Sequence, residues 1–154
     1  MKVFPCGFFD EDAAKNIGGS GFVIFLSDSH YFSFSLGAGC NTNTRAELLA
    51  MWAVLRVSLM MGLPMHLIYG ESMVIISWIN RLAALDVPTL MHWCNDTRIM
   101  LQMAPPVIFK HIFREHNSLA DGFSKQALKL DMGYGTFSKI LDGMVINHGQ
   151  FVLF

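Results

Sequence analysis

Charge is scarce in this chain of 154 residues: Asp, Glu, Lys and Arg together make up 15% of it, and the net charge is −1. Soluble domains usually carry about 25%. Eleven cationic against twelve anionic side chains cannot capture a nucleic-acid duplex by charge alone, which excludes a strongly basic scavenger of phosphate backbones. Long apolar runs are missing as well. The greasiest stretch, residues 48–63, is broken by Arg56 and Ser58 and falls short of the ~20 residues a membrane-spanning helix needs. Cysteine is sparse, with Cys6, Cys40 and Cys94 odd in number and without C-x-x-C spacing. That argues against a disulfide framework and for reduced intracellular thiols. The start of the chain shows neither a secretory nor an Arg-rich transit pattern, because Pro5 and the acids Asp10 to Asp12 come too early. Nucleus, cytoplasm and an organelle all stay open as compartments. Repeats and low-complexity segments are absent.

What is present is apolar side chain. Hydrophobic residues make up 53% of the sequence, mean hydropathy is +0.40, and there are eleven methionines. One domain of this length buries a thick core. The excess also points to an apolar surface covered by a protein partner, a role for which flexible Met side chains are suited. The sparse charge is unevenly placed: residues 1–77 hold four Lys/Arg and six Asp/Glu, residues 78–154 seven and six.

Pattern and punctuation give the order β-β-β-α-β-α-α-β-α. Residues 3–9 read as a first strand, residues 16–21 as a glycine-rich turn, and residues 22–26 and 31–36 as the next two strands. Thr44 to Met61 is the clearest helix, with Ala46, Leu49, Ala53, Val57 and Met60 at helical spacing and Gly62 and Pro64 beyond its end. A short buried strand at 65–69, helices at 73–82 and 89–103, a strand at 107–113 and a helix at 118–130 follow. Three consecutive strands predict an antiparallel meander, which the later strands join in parallel through helical crossovers. The expected architecture is an α/β domain over residues 1–130, with residues 131–154 an apolar tail packed on the domain or on a partner.

Against twelve acids in all, four standing where a strand ends or a helix begins form a candidate cation site: Asp10, Glu47, Glu71 and Asp121. Mg²⁺ and similar hard cations take oxygen ligands, and the C-terminal ends of parallel strands share one rim. Each acid also has an ordinary local explanation. Asp10 suits a turn, with Glu11 and Asp12 as solvated loop acids, either of which replaces Asp10 if the strand register slips. Thr44-x-x-Glu47 matches a capping box, and the local pattern favours that reading. Glu71 and Asp121 fall in the first turn of helices, where the dipole stabilises a negative charge. His111, late in the fifth strand, would face the same rim as a proton shuttle, with His116 as its competitor. His30, His66, His92 and His148 lack ligand spacing.

The ordered set carries more than its parts. Phe9-Asp10 with Asn16-Ile17-Gly18 resembles the Phe-Asp-Gly and Asn-Pro-Gly opening of the ribonuclease H family. Asn43-Thr44-Arg45-Ala46-Glu47 resembles its Asn-x-x-Ala-Glu helix start, and Tyr69-Gly70-Glu71-Ser72 stands where that family has Gly-Asp-Ser. The run His111-x-x-Arg114-Glu115-x-Asn117-x-x-Ala120-Asp121 resembles its closing motif. With Phe123-Ser124-Lys125 after it and Trp78 and Trp93 between motifs, the chain is most similar to type 1-like domains of plant retroelements and their domesticated relatives.

The resemblance implies a ribonuclease H-like fold, a five-stranded mixed sheet in the order 3-2-1-4-5 flanked by helices. It implies hydrolysis of RNA in RNA–DNA hybrids by two-metal catalysis with Mg²⁺ or Mn²⁺. By position, Asp10, Glu47, Glu71 and Asp121 would hold the metal, His111 would assist product departure, and Asn16, Asn43 and Ser72 would contact the hybrid. Three residues depart from the pattern: Glu71 for Asp, Glu11 for Gly, and Ile17 for Pro. A carboxylate moved by one methylene, ~1.5 Å, weakens catalysis. Two functions follow as expectations: a hybrid-cleaving ribonuclease, or an inactive, domesticated fold that works by protein–protein binding.

Overall fold

A computed structural model describes residues 3–40 and 42–154, apart from the side chain of Cys40, so the thiol expected there lies outside the described side chains. Cys6 and Cys94 are both buried.

The first three strands are β1 (Cys6–Ala14), β2 (Ile17–Phe25) and β3 (His30–Cys40), an antiparallel meander. Both β1 and β2 are longer than the sequence pattern suggests. Lys15 and Asn16, with φ of 52° and 66°, make a two-residue hairpin turn whose twist suits the strands it joins. The glycine run read as a turn is therefore strand. Its glycines serve packing instead: a Cβ on Gly21 would overlap the Ala120 carbonyl and the Ser124 nitrogen, so a helix lies directly on the β2 backbone.

That helix is α4 (Ser118–Gln126), followed by a 3-10 turn, Ala127–Lys129. The opposite face of the sheet is covered by α1 (Asn43–Met60), buried nearly all round, with α2 (Met73–Ile79) and α3 (Met91–Met103) outside it. Strands β4 (Leu67–Gly70) and β5 (Ile108–His111) run parallel to β1.

The expected sheet of five strands is corrected to seven. Residues 134–152 form a hairpin, β6 (Tyr134–Leu141) and β7 (Met144–Val152), that continues the edge at β3. The order is β5-β4-β1-β2-β3-β6-β7, within which the first five strands keep their mutual arrangement. The added strands alternate Phe137 and Phe151 toward the core with Thr136 and Ser138 on the other face, a pattern broken by a bulge at Lys139/Ile140. Beyond β7, Phe154 packs edge-on against Trp52 and Trp93. Among the described residues, no helix is long and apolar enough to cross a membrane.

Candidate metal centre

The functional rim begins where two strands part. β1 pairs with β4 in parallel only as far as Phe9 opposite Gly70, while its pairing with β2 carries it on to Ala14. Gly70 lacks a side chain because the Phe9 ring occupies the space its Cβ would need. Asp10 therefore sits in mid-strand, not in a turn, yet beside a crevice opened by the departure of β4. Ligands in α/β sheets bind at such points. Asn117 fixes the place further, its Nδ2 donating to the Phe9 carbonyl at 3.0 Å and tying the start of α4 to β1.

The capping-box reading of Glu47 is overturned. α1 begins at Asn43 with Thr42 as its cap, whose Oγ1 accepts from the Arg45 N–H at 3.3 Å. Glu47 is consequently a full turn inside the helix, 2% exposed, and accepts from the Ser72 N–H at 3.4 Å. Ser72 itself caps α2 by accepting from the Ile75 N–H. Glu71, in the link between β4 and α2, is thus free of capping duty. Its Oε1 is buried without a hydrogen bond, 3.9 Å from Arg114 Nε.

Glu11 lies within β1 and not in a loop. Strand alternation puts it on the face of Phe9, which α1 covers. One carboxylate oxygen from each of Asp10, Glu11 and Glu47 falls within 4.8 Å of the others. Its signal was available: an acid two positions beyond a core phenylalanine, in a strand that did not stop.

A recess of about 330 Å³ is lined by Asp10, Glu11, Glu47, Glu71, Ser72, His111 and Arg114, among others. His111 ends β5, half-buried, with its ring edge-on to Phe113. The competing His116 is exposed and lines other pockets, beside Phe8. Asp121 lies in the first turn of α4 but does not line the recess; its Oδ2 is 3.0 Å from Lys125 Nζ. Asn16, at the hairpin tip, and Asn43, at the start of α1, are exposed and outside the recess.

Crowding acids into a desolvated recess raises their pKa values. Burial, then the neighbouring Glu71 carboxyl, then the charge of Glu47 push Asp10 up to about 9, against the opposing hydrogen bond from the Glu11 N–H. Burial, then Asp12 and Glu71, raise Glu11 to about 7. Burial and then Glu11 hold Glu47 well above the usual carboxylate range, despite the Ser72 N–H. All donors are carboxylate oxygens, and Glu11 Oε2 and Glu71 Oε1 are buried without partners. That donor set fits a hard divalent cation, which would neutralise what the protein leaves unpaired.

A meander with two parallel additions, α1 on one face and α4 on the other, and acids at the β1/β4 parting define a ribonuclease H-like α/β domain. The chain belongs to the reverse transcriptase-like family, whose sequence pattern matches residues 9–127. Among solved structures it is similar to ribonuclease H1 from the halophilic archaeon Halobacterium salinarum, at 22% identity and a TM-score of 0.74, over 80% of this chain and 96% of that one. It is also similar to LC11-RNase H1 in complex with an RNA/DNA hybrid, at 25% identity and a TM-score of 0.71, over 80% and 95%. A third likeness is the N-terminal ribonuclease H domain of Rv2228c from Mycobacterium tuberculosis, at 17% identity and a TM-score of 0.71, over 80% and 93%. No curated protein matches the chain in sequence.

Proposed function

We propose that the chain is a divalent-metal-dependent endonuclease that hydrolyses the RNA strand of RNA–DNA hybrids. The observation that carries this reading is the convergence of Asp10, Glu47 and Glu71 on one recess at the strand parting. Asp10, Glu47, Glu71 and Asp121 are the family-position residues that would hold Mg²⁺ or Mn²⁺. Two such cations, when bound, supply activation of water and stabilisation of the leaving 3′ oxygen.

The protein's own groups do the rest. Ser72 stands in the recess wall, where its hydroxyl can meet the 2′-OH that distinguishes RNA. Arg114, with an 88% exposed side chain, is placed to meet a phosphate. Asn16 and Asn43 lie farther out and would touch the hybrid beyond the cleaved bond. His111, at the recess edge, would exchange a proton with departing product. Glu71 extends one methylene farther than aspartate, and a misplacement of ~1 Å can lower the rate ~100-fold. LC11-RNase H1, solved with a hybrid bound, supports the substrate class.

A second reading has its own support. An apolar groove of about 320 Å³ lies between the end of α1 and β6–β7, lined by Phe32, Phe34, Val57, Met60, Phe137 and Phe151. Met144, Val145 and Ile146 on the outermost strand are exposed. Such a surface suits an inactive, domesticated domain of plant retroelement descent that acts inside the cell by binding a protein.

Cleavage of a labelled RNA–DNA hybrid with Mg²⁺ or Mn²⁺ separates the two. The nuclease reading expects cleavage by the wild type, none by Asp10→Asn, and faster cleavage by Glu71→Asp. Wild-type protein inert with both ions, but activated by Glu71→Asp, would favour the binding protein.

A further inference from the structure

The two edges of the sheet are finished differently. At one, β5 has four residues, Ile108–His111, follows closely on Pro105-Pro106 and carries the exposed Lys110. Short length, proline and lysine are devices that keep an edge strand from pairing with another chain. At the other edge, β7 has nine residues and contains no Asp, Glu, Lys, Arg or Pro. Met144, Val145, Ile146 and Val152 on it are each at least half exposed. Its one guard is the bulge opposite Lys139/Ile140, beyond which residues 147–152 pair with β6 without a break.

The free side of β7 follows from its bonded side. Leu153 N–H donates to the Gly133 carbonyl at 2.9 Å, so in this antiparallel ladder Phe151, Gly149 and Asn147 also direct their main-chain groups at β6. His148, Gln150 and Val152 direct theirs outward, where no strand among the described residues meets them. Met144 and Phe151, opposite Leu141 and Gly135 of β6, share the α1 face of the sheet. Phe151 there lines the apolar groove that reaches Met60 at the end of α1.

The order of residues in β7 says what fits this edge. Read in either direction, the strand is apolar at its ends, Met144-Val145-Ile146 and Phe151-Val152, and polar between them. An antiparallel copy, turned about a two-fold axis at His148, sets apolar ends against apolar ends and brings no Asp, Glu, Lys or Arg opposite another. The extra residue of the bulge takes up the unequal count on the two sides of the axis. Phe151 of one copy then lies across from the partner's Met144, at the mouth of the groove.

We propose that β7 is a dimerisation edge: two copies of this chain pair antiparallel through β7 about a two-fold axis at His148, with the partner's Met144 in the apolar groove. The two seven-stranded sheets become one, and the axis closes the assembly at two copies. The surface is the one that the protein-binding reading above uses, and the dimer names its partner. The acidic rim at β1 lies four strands away, so hydrolysis there does not depend on it. One strand edge with its flanking side chains is a small interface, and the association is of micromolar strength.

The test is sedimentation equilibrium of the full chain over a range of concentrations. Wild type is compared with His148→Asp, Met144→Lys and Leu82→Lys, with folding checked by circular dichroism. All three positions are exposed, and Leu82 stands outside β7. The wild type should show a monomer–dimer equilibrium. His148→Asp sets two like charges across the axis and should raise the dissociation constant about tenfold or more. Met144→Lys removes the occupant of the groove and should act in the same direction, whereas Leu82→Lys should leave the equilibrium unchanged. His148→Cys gives a second readout, since mild oxidation should link two copies more fully than in the wild type or in Leu82→Cys.

Loss of the dimer in both β7 variants, with Leu82→Lys unaffected, upholds the proposal. A wild type that stays monomeric at every concentration overturns it and leaves both functional readings as they stood. A dimer that both β7 variants leave intact overturns it too, because the interface then lies elsewhere, and so does assembly that passes beyond two copies. A wild type that dimerises through β7 and also cleaves hybrid upholds the dimer and sinks the reading of an inactive domain.

Discussion

The two sides of the recess carry similar chemistry in different electrostatic states. Asp10 and Glu47 are each 2% exposed, and neither forms an ion pair among the described residues. Glu71 and Asp121, more open to solvent, have Arg114 and Lys125 beside them. The lesson concerns what a carboxylate costs. A paired, half-exposed acid is nearly neutral for stability, whereas a buried unpaired cluster is tolerated only where something external compensates it.

The sharpest way to break this contrast is to remove the buried acids one at a time. Asp10→Asn and Glu47→Gln should reduce hybrid cleavage to background, measured under single turnover, while raising the melting temperature of the metal-free protein. A lower melting temperature in both variants would mean that the acids are structural and compensated by groups of the fold.

Glu71→Asp tests the other side. Its effect on cleavage should be an increase of up to ~100-fold, because the carboxylate retreats by one methylene toward the family position.

Acidity offers a third handle. Asp10 is raised from 3.8 to about 9 and Glu11 from 4.5 to about 7, so between those limits the folded chain holds protons that the unfolded chain has released. Stability of the metal-free protein should therefore be fullest below about pH 4 as far as these groups are concerned, and fall as pH rises toward 9. Melting curves in a chelator from pH 5 to 9 would show the decline. Asp10→Asn should flatten it, and saturating Mg²⁺ should oppose it increasingly as pH rises.

The smallest effect belongs to the exposed pair. Lys125→Met should alter stability by no more than ~1 kcal/mol, since an i,i+4 ion pair in water contributes little. A larger loss, read from denaturant midpoints, would place Asp121 among the buried acids instead.

Much of this arrangement was legible in the chain, and the exceptions share a cause. Helix α1 announced itself by spacing, but its start was misread by one position because Thr42 and Thr44 are equally good caps locally. The choice was made by Glu47, which the fold turns toward Ser72 rather than back to its own helix end. The glycines before Phe22 looked like a turn because their reason, the backbone of α4 lying against them, is a hundred residues away. Residues 131–154 showed no clear pattern because the bulge at Lys139/Ile140 interrupts alternation, and the hairpin takes its register from β3. Glu11 reads locally as a loop acid because β4 leaves the first strand at Phe9, whereas pairing with β2 continues to Ala14.

Sequence alone determined the kinds and order of the elements as far as α4, and the four positions at which acids recur, since periodicity, caps and breakers act over a few residues. Tertiary structure alone decided which acids meet. Carboxylates from β1, α1 and the β4–α2 link become neighbours only once the sheet has formed, and burial and ion pairing depend on everything packed around them. The same twelve acids could be solvent-facing or confined, and the fold brings one oxygen from each of Asp10, Glu11 and Glu47 within 4.8 Å of the others.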